Sequence, residues 1–166
     1  PLASAVFIEP LACSIHAVQR GNIELGDVVV IAGAGPLGLG MFAAARQKSP
    51  RLLIAIDMDD QRLELAKLCG ADLGFNPRKV DVVDEVRKLT EGYGCDVYIE
   101  ATGHPSAVEQ GLHMIRKLGT FVEFSVMREP VTVISSSWLS FASSAAVAVW
   151  KPVPARAAAT AAWTRK

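Results

Sequence analysis

The sequence predicts an α/β fold, a doubly wound parallel sheet with helices on both faces. The first observation is that short apolar segments rich in β-branched residues alternate with helix-forming segments between residues 28 and 126. Strands that alternate with helices run parallel and are joined by right-handed crossovers. The second observation is that the first apolar segment continues directly into three glycines, in VVVIAGAGPLGLG from Val28 to Gly40. A glycine-rich turn of this kind typically connects the first strand of such a sheet to its first helix.

The first two strands are continuous apolar segments, as expected for strands that are covered on both faces. They are predicted at Val28–Ala32 and Leu52–Ile56. Pro36 stands where a first helical residue is favoured, and the Ala-rich segment after it predicts a helix over Leu37–Gln47. One more helix is predicted before the first strand, at Leu11–Arg20.

The second half of the alternation contains three further strands, predicted at Ala71–Phe75, Asp96–Ala101 and Thr120–Val126. Each of these strands is preceded by a helix. The first helix begins after Asp59, which is a favourable N-cap residue, the second begins near residue 80, and the third begins at Pro105. Gly119 is expected to end the last of these helices. The apolar spacing gives the predicted inward residues of the last two helices: Val80, Val83, Val86 and Leu89 in one, and Val108, Leu112 and Ile115 in the other.

Composition restricts the class of protein. A chain of 166 residues is about one domain long and can bury a sizeable core. No apolar segment reaches the roughly 18 to 20 residues that cross a bilayer, and no signal peptide opens the chain. The formal net charge is zero, so we expect neither a nucleic-acid nor a membrane partner. The three cysteines are scattered, which is typical of a reducing compartment and predicts a cytoplasmic protein.

The charge is unevenly distributed along the chain. All 17 acidic residues lie at or before Glu129, whereas residues 134–166 contain four basic residues and all three tryptophans. We therefore predict a domain over residues 1–133 and an atypical Ala-, Ser- and Trp-rich tail over residues 134–166. Alanine is the best helix former, so helices are expected within the tail at Ser135–Trp150 and Ala155–Trp163.

The glycine turn has the spacing G-x-G-x-x-G, formed by Gly33, Gly35 and Gly38. In a dinucleotide site, the first glycine permits the tight turn, the second lets the backbone approach a pyrophosphate, and the third lets the helix pack close to the strand. The N–H groups at the start of the helix then face the phosphates. Asp57 ends the second strand 19 residues after Gly38, where a carboxylate can accept hydrogen bonds from the adenosine ribose and repel a 2′-phosphate. The pattern therefore predicts NAD rather than NADP.

Several of these residues also have plainer interpretations. The glycines could form a structural turn without a ligand, and Asp57 could be an ordinary residue at a strand end. Arg62, five residues after Asp57, is equally well explained as a solvated helix charge. Thr102 and Gly103 follow the fourth strand at the carboxyl edge of the sheet, where ligands of open sheets bind, but a simple turn explains them as well.

Five blocks of sequence carry a resemblance to a known family: EPLACSIHAVQRG from residue 9, GDVVVIAGAGPLG from residue 26, AIDMDDQRLELAKLCGAD from residue 55, CDVYIEATG from residue 95 and LGTFVEF from residue 118. With these blocks, residues 8–133 resemble the cofactor (Rossmann) domain of the zinc-dependent medium-chain dehydrogenases. The resemblance is closest to the sorbitol, or polyol, dehydrogenase branch. Because several independent blocks occur in order, the resemblance is specific to the family.

The resemblance implies roles for particular residues. Leu37 lies against the cofactor, Arg62 flanks Asp57 at the ribose, and residues 124–126 present their backbone to the nicotinamide amide. Glu9 resembles a glutamate beside the catalytic zinc and substrate, although an acidic residue at the start of a helix explains it too. The cofactor-binding residues so implied are Gly33, Gly35, Pro36, Leu37, Gly38, Asp57, Arg62, Thr102, Phe124, Ser125 and Val126.

The chain also departs from the family pattern. The zinc ligands of the family belong to an N-terminal catalytic domain that has no counterpart in this sequence, and no Cys, His and Glu set here has zinc-site spacing, so we predict no bound metal. After Thr132 the family continues into a last strand that contacts the nicotinamide and forms a dimer edge. We expect the sheet to lack this strand and the tail to come from a shifted reading frame. A homo-oligomer remains compatible with the sequence.

The predicted function is the NAD-binding part of a zinc-dependent alcohol or polyol dehydrogenase, an oxidoreductase that transfers hydride from a CH–OH group to NAD. We expect the chain alone to be inactive. The alternatives are a non-catalytic nucleotide-binding or sensing module and a zinc-free quinone reductase, the second of which Asp57 disfavours. An S-adenosylmethionine-dependent methyltransferase is disfavoured by Gly38 and by the blocks outside the turn.

Overall fold

The structure is a computed structural model that describes residues 5–127, residue 131 and the backbone of residues 147–149. The strands are β1 Val28–Ala32, β2 Leu52–Ile56, β3 Leu73–Phe75, β4 Cys95–Glu100, β5 Ile115–Glu123 and β6 Val147–Val149. The helices are α1 Ile8–Arg20, α2 Pro36–Arg46, α3 Asp60–Leu68, α4 Val82–Leu89 and α5 Pro105–Met114.

The strands form one parallel sheet in the order β3-β2-β1-β4-β5-β6. Strands β2 and β3 are therefore added on one side of β1, and strands β4, β5 and β6 are added on its other side. This arrangement confirms the predicted doubly wound fold. Because the direction of building changes between β1 and β4, the connections that leave these two strands diverge and open a crevice at the carboxyl edge of the sheet.

The core lies in two layers, one on each face of the sheet. All five residues of β1 are buried, as expected from its continuous apolar sequence. On one face, alternate residues of the strands pack against α1, α2 and α3. On the other face, the remaining strand residues pack against α4 and α5. In the part of the chain that the structure describes, no helix is long and apolar enough to cross a membrane.

Helix α4 differs from the prediction at two of its four predicted inward residues. Its N-cap is Asp81, whose carboxylate accepts hydrogen bonds from the N–H groups of Val83 and Asp84. Val80 therefore precedes the helix, and it is 40% exposed. The buried residues are Val82 and Val86, and Leu89 is 38% exposed, so the predictions of Val80 and Leu89 as inward residues are wrong. The Asp81 cap determines that the helix begins at Val82, which the apolar spacing alone does not indicate.

Strand β5 begins five residues earlier than predicted and ends three residues earlier. Ile115 already pairs with Cys95, so the last predicted helix ends at Met114. The register then shifts between Cys95 and Val97, and Gly119 lies inside the strand, where a Cβ would be 2.6 Å from the side chain of Ile115. Gly119 thus allows close packing at the irregular part of the strand. It does not end a helix, and the prediction that it does is wrong.

The structure also corrects the prediction for the tail at three residues. Val147–Val149 form a short strand that pairs in parallel with residues 121–123 of β5, where we expected a helix and no last strand. All other residues from 132 onward, including the helix predicted at Ala155–Trp163, lie outside the described residues.

Candidate functional site

Two glycines of the turn between β1 and α2 are required by close backbone contacts. Gly33 has a φ of +101°, which residues with a Cβ rarely adopt. A Cβ on Gly33 would lie 2.7 Å from the carbonyl oxygen of Ala101, and a Cβ on Gly38 would lie 1.9 Å from the carbonyl oxygen of Gly33. The turn therefore packs against the end of β4, and α2 begins in direct contact with the turn.

Gly35 has a different role, because its surroundings are open. It is the N-cap of α2, and a Cβ placed there would meet no atom within 4 Å. No side chain caps the helix, and its first turn, which begins with Pro36 and Leu37, contains no acidic residue. The positive end of the helix dipole thus faces free space, which is suited to a phosphate group.

Asp57 connects the end of β2 to the glycine turn. Its Oδ2 accepts a hydrogen bond of 2.8 Å from the N–H of Ala34, and its Oδ1 accepts one of 2.9 Å from the N–H of Asp59. The side chain of Asp57 is 10% exposed, and the Arg62 guanidinium approaches its Oδ2 to 4.0 Å. A carboxylate has about four acceptor positions, so Asp57 retains capacity for ribose hydroxyls beside these two bonds. The structure therefore brings Asp57, Arg62 and the glycine turn together.

The turn after β4 is organised by Glu100, which the sequence analysis did not single out. Glu100 is fully buried. Its Oε1 accepts hydrogen bonds from the N–H and Oγ1 of Thr102 and from the N–H of Gly103. The methyl group of Thr102 would lie 3.2 Å from a Cβ on Gly33. The predicted site residue Thr102 thus lies directly beside the glycine turn.

The segment after β5 lies against the same turn. Phe124 donates its N–H to the carbonyl oxygen of Glu100 at 3.1 Å, and the Ser125 hydroxyl donates to the same oxygen at 3.5 Å. A Cβ on Gly103 would lie 3.3 Å from the carbonyl oxygen of Val126. Residues 124–126 follow the strand and do not end it as predicted, but they line the crevice next to Thr102.

Glu123, the last residue of β5, is a second glutamate that the sequence analysis missed. Its Oε1 is shielded from solvent and has no hydrogen-bond partner in the described part of the chain. Burial, followed by the charge of Glu100, raises the pKa of Glu123 from its ordinary value of 4.5 to about 8. A glutamate directly after apolar residues at the end of a strand, in YIE of β4 and FVE of β5, was the sequence signal that could have identified both residues.

Glu9 lies in the first turn of α1, where its carboxylate accepts a hydrogen bond of 3.2 Å from the Cys13 thiol. This hydrogen bond raises the pKa of Cys13. Helix α1 reaches the site through Ser14, whose hydroxyl donates to the carbonyl oxygen of Leu37 at 2.8 Å. Among the described residues, no hydrogen bond or ion pair joins Glu9 to the glycine turn or to Asp57.

No group of three or more His, Cys, Asp and Glu side chains within the described residues could hold a metal ion. A zinc ion therefore does not fit the residues whose positions the structure gives.

The parallel sheet, the glycine turn after β1 and the acidic residue after β2 define a Rossmann-type α/β domain. A sequence model of the family described as "Zinc-binding dehydrogenase" matches residues 36–152. The chain belongs to this family of zinc-binding dehydrogenases, which confirms the resemblance found from the sequence. The match extends beyond residue 133, and the domain boundary at that residue stays a prediction.

Two curated relatives show which branch of the family is similar. The chain is 54% identical over 133 residues to an erythritol/L-threitol dehydrogenase from Mycolicibacterium smegmatis, covering 80% of this chain and 37% of the relative. It is 37% identical over 128 residues to a sorbitol dehydrogenase from Halalkalibacterium halodurans, covering 76% of this chain and 37% of the relative. The chain thus spans little more than a third of the length of these relatives.

Solved structures agree with this assignment. The zinc-dependent alcohol dehydrogenase 2 from Streptococcus pneumonia, in its apo form, superposes with a TM-score of 0.74 and 33% identity, covering 84% of this chain and 41% of that chain. A zinc-binding dehydrogenase from Sinorhizobium meliloti bound to NADP superposes with a TM-score of 0.75 and 31% identity, covering 80% of this chain and 40% of that chain.

Proposed function

We propose that this chain is the NAD-binding part of a zinc-dependent alcohol or polyol dehydrogenase. The observation that supports this most directly is the hydrogen bond from the N–H of Ala34, in the glycine turn, to the carboxylate of Asp57. This bond joins the glycine turn at the start of α2, which we propose binds the phosphates, to the carboxylate that we propose binds the ribose.

The cofactor fits the arrangement of the turn. The open space at Gly35 accommodates a pyrophosphate that would collide with any larger residue there. Free N–H groups at the start of α2 bind the phosphates, and Asp57 binds the adenosine ribose with Arg62 at its side. The nicotinamide half then lies toward Thr102 and residues 124–126.

In the reaction, the chain binds and orients the cofactor and contributes one side of the substrate cleft. NAD, when bound, supplies a hydride acceptor for the carbon of a CH–OH group. The backbone of residues 124–126 orients the nicotinamide amide, which fixes the ring face presented to the substrate. In the proposed enzyme, a zinc site would be provided by residues other than those described, with Glu9 beside it, and the chain alone is expected to be inactive.

The substrate class follows from similarity. The relatives named for erythritol and L-threitol and for sorbitol support a linear polyol, with a simple alcohol as the wider class. The balanced net charge supports the absence of nucleic-acid and membrane partners. The scattered cysteines support a cytoplasmic location, and a homo-oligomer is compatible with the proposal.

The preference for NAD over NADP rests on Asp57. Its carboxylate would repel a 2′-phosphate, although the exposed guanidinium of Arg62 nearby reduces that repulsion. Calorimetric titration of the 166-residue chain with NAD, NADP and S-adenosylmethionine tests the proposal. We expect NAD to bind most tightly; binding of S-adenosylmethionine alone would overturn it.

The matched variants are Asp57→Asn and Asp84→Asn. Asparagine at position 57 keeps an oxygen that can accept the N–H of Ala34 but removes the charge, so NAD affinity should fall by about tenfold and NADP affinity should rise. Asp84 is exposed on α4 and its replacement should change neither affinity. Equal effects of the two variants would show that Asp57 does not bind the cofactor.

A further inference from the structure

Two glutamates lie side by side at the carboxyl edge of the sheet. Glu100 ends β4, Glu123 ends β5, and the two residues are register partners in the parallel pair. Partners in register lie on the same face of a sheet. Two residues earlier, the partners Tyr98 and Phe121 stack with ring centroids 5.2 Å apart. The two carboxyl groups therefore follow an aromatic pair on the face that α4 and α5 cover.

No positive charge accompanies this pair in the described part of the chain. The residues of α5 that face the sheet are Ala107, Val108, Gly111 and Met114, whereas Glu109 and His113 are exposed. The buried residues of α4 are Val82 and Val86. The other buried ionisable groups on this face are Cys95, whose pKa is raised by burial, and Tyr98, whose hydroxyl donates to the carbonyl oxygen of Ala107. Burial, followed by the charge of Glu100, keeps the pKa of Tyr98 well above its ordinary value, so the phenol is neutral.

One buried and one half-buried carboxyl group, with no cation beside them among the described residues, cannot both remain ionised at low cost. The hydrogen bonds decide which one carries the charge. Glu100 accepts two backbone N–H groups and one hydroxyl, and such donors favour the carboxylate form. The Oε1 of Glu123 is buried and has no donor among the described residues, which favours the protonated form. The proton of the pair therefore belongs on Glu123.

Glu100 also connects the two turns that line the crevice opposite Asp57. Its carboxylate binds the backbone of Thr102 and Gly103, and its carbonyl oxygen accepts from Phe124 and Ser125. The Thr102 turn in turn contacts Gly33. A shift of Glu100 would thus move residues on both sides of the nicotinamide end of the crevice.

We propose that Glu100 is a positioning residue for the dinucleotide, and that Glu123 holds the proton that allows Glu100 to stay an anion in this buried place. The inference rests on the proposed function, because cofactor affinity is its readout. When Glu123 loses its proton, two neighbouring anions repel each other across β4 and β5, the two turns separate, and NAD binds more weakly. The raised pKa of Glu123 places this loss near pH 8.

The first experiment measures NAD affinity of the 166-residue chain by calorimetry between pH 6 and pH 9.5. In the unmodified chain, the dissociation constant should rise by about tenfold across this range, equivalent to one unit of pKa difference between free and bound forms. Glu123→Gln carries a permanently neutral group and should remove this pH dependence. Glu109→Gln makes the same chemical change on the exposed side of α5 and should follow the unmodified chain. A pH dependence that persists in Glu123→Gln would overturn the proposal.

The second experiment separates positioning from general stability. Glu100→Ala should weaken NAD binding by about tenfold, whereas Glu100→Gln should restore most of the affinity, because its amide oxygen can accept the same N–H groups. Glu100→Gln also removes the anion that would repel an ionised Glu123, so NAD affinity should lose most of its dependence on pH. If Glu100→Ala does not fold, the pH profile of Glu100→Gln alone decides: a dependence on pH as large as that of the unmodified chain would contradict the pairing.

The failures of the two proposals are distinguishable. If the unmodified chain binds no NAD, the proposed function is wrong and the positioning role falls with it. If the unmodified chain binds NAD and Glu100→Ala binds it equally well, the positioning role alone is wrong.

Discussion

The glycine turn after β1 and the paired strand ends of β4 and β5 form opposite sides of one crevice, but they are built by different means. The glycine turn is so closely packed that it has no room for side chains. A Cβ placed on Gly38 would lie only 1.9 Å from the carbonyl oxygen of Gly33. The strand ends are shaped by two carboxyl groups, one fully buried at Glu100 and one half-buried at Glu123. The difference teaches that one side of the crevice depends on steric fit, whereas the other is expected to depend on the protonation state of Glu123.

The largest effect is expected where the glycine turn has no free space. Gly38→Ala forces a Cβ against the carbonyl oxygen of Gly33, so α2 must move away from β1. We expect a loss of about 3 kcal/mol in the free energy of unfolding. Urea denaturation followed by circular dichroism would measure this loss. An unchanged midpoint would show that the turn is looser than the structure indicates.

The next effect separates binding from folding within the same turn. Gly35→Ala should leave stability within about 0.5 kcal/mol, because Gly35 has open space and an ordinary φ of −71°. The same methyl group occupies the space expected for the pyrophosphate, so NAD affinity should fall by about thirtyfold. Calorimetry and denaturation on one preparation provide both values. Loss of stability together with affinity would assign Gly35 a structural role instead.

On the other side of the crevice, the effect depends on pH. The folded pKa of Glu123 is about 8 and its ordinary value is 4.5, so between these values the folded state holds a proton that the unfolded state has lost. Stability therefore falls as pH rises from about 4.5 to about 8 and levels off above that. Glu123→Gln should not share this fall, and at pH 8.5 it should exceed the unmodified chain by about 1 to 2 kcal/mol, a value reduced for the partial exposure of Glu123.

Denaturation midpoints measured from pH 5 to pH 9 check this expectation. Glu109→Gln serves as the control, because Glu109 is exposed on α5 and should keep the pH dependence of the unmodified chain. Parallel curves for the unmodified chain and Glu123→Gln would mean that another group carries the proton.

The smallest effect concerns a single donor to Glu100. Thr102→Val removes the hydroxyl hydrogen bond to Glu100, together with the acceptor of the His104 N–H, and leaves the two backbone N–H groups that bind Glu100 in place. We expect NAD affinity to fall by about two- to threefold, consistent with the loss of one of three hydrogen bonds. Thr90→Val changes another hydroxyl, on the C-cap of α4 away from the crevice, and should leave NAD affinity unchanged. Equal affinities for Thr102→Val and the unmodified chain would show that the two N–H groups suffice.

The sequence predicted the side of the crevice that depends on local geometry. Gly33, Gly38 and Asp57 belong to one strand–turn–helix unit and the strand after it, so their spacing along the chain carries the information. The boundaries of β1 and β2 were predicted to the residue because both are continuous apolar segments between clear turn signals.

The other side of the crevice could not be predicted in the same way. The pairing of Ile115 with Cys95 replaces a helical turn by a strand, and only the neighbouring strand determines this choice. The relation between Glu100 and Glu123 depends on the register of two strands that are separated by a helix. A register shift lies within that same strand pair, so counting residues along the sequence does not place the two carboxyl groups opposite each other.

The hydrogen bond between Ala34 and Asp57 has a consequence for any attempt to redesign cofactor preference. The carboxylate that would discriminate against a 2′-phosphate is also a structural acceptor for the glycine turn. Replacing Asp57 by alanine or glycine to admit NADP would remove the charge but leave the N–H of Ala34 without its acceptor. A change of cofactor in this protein therefore requires a neutral residue that still accepts a hydrogen bond, such as asparagine or serine, before any positive charge is added around it.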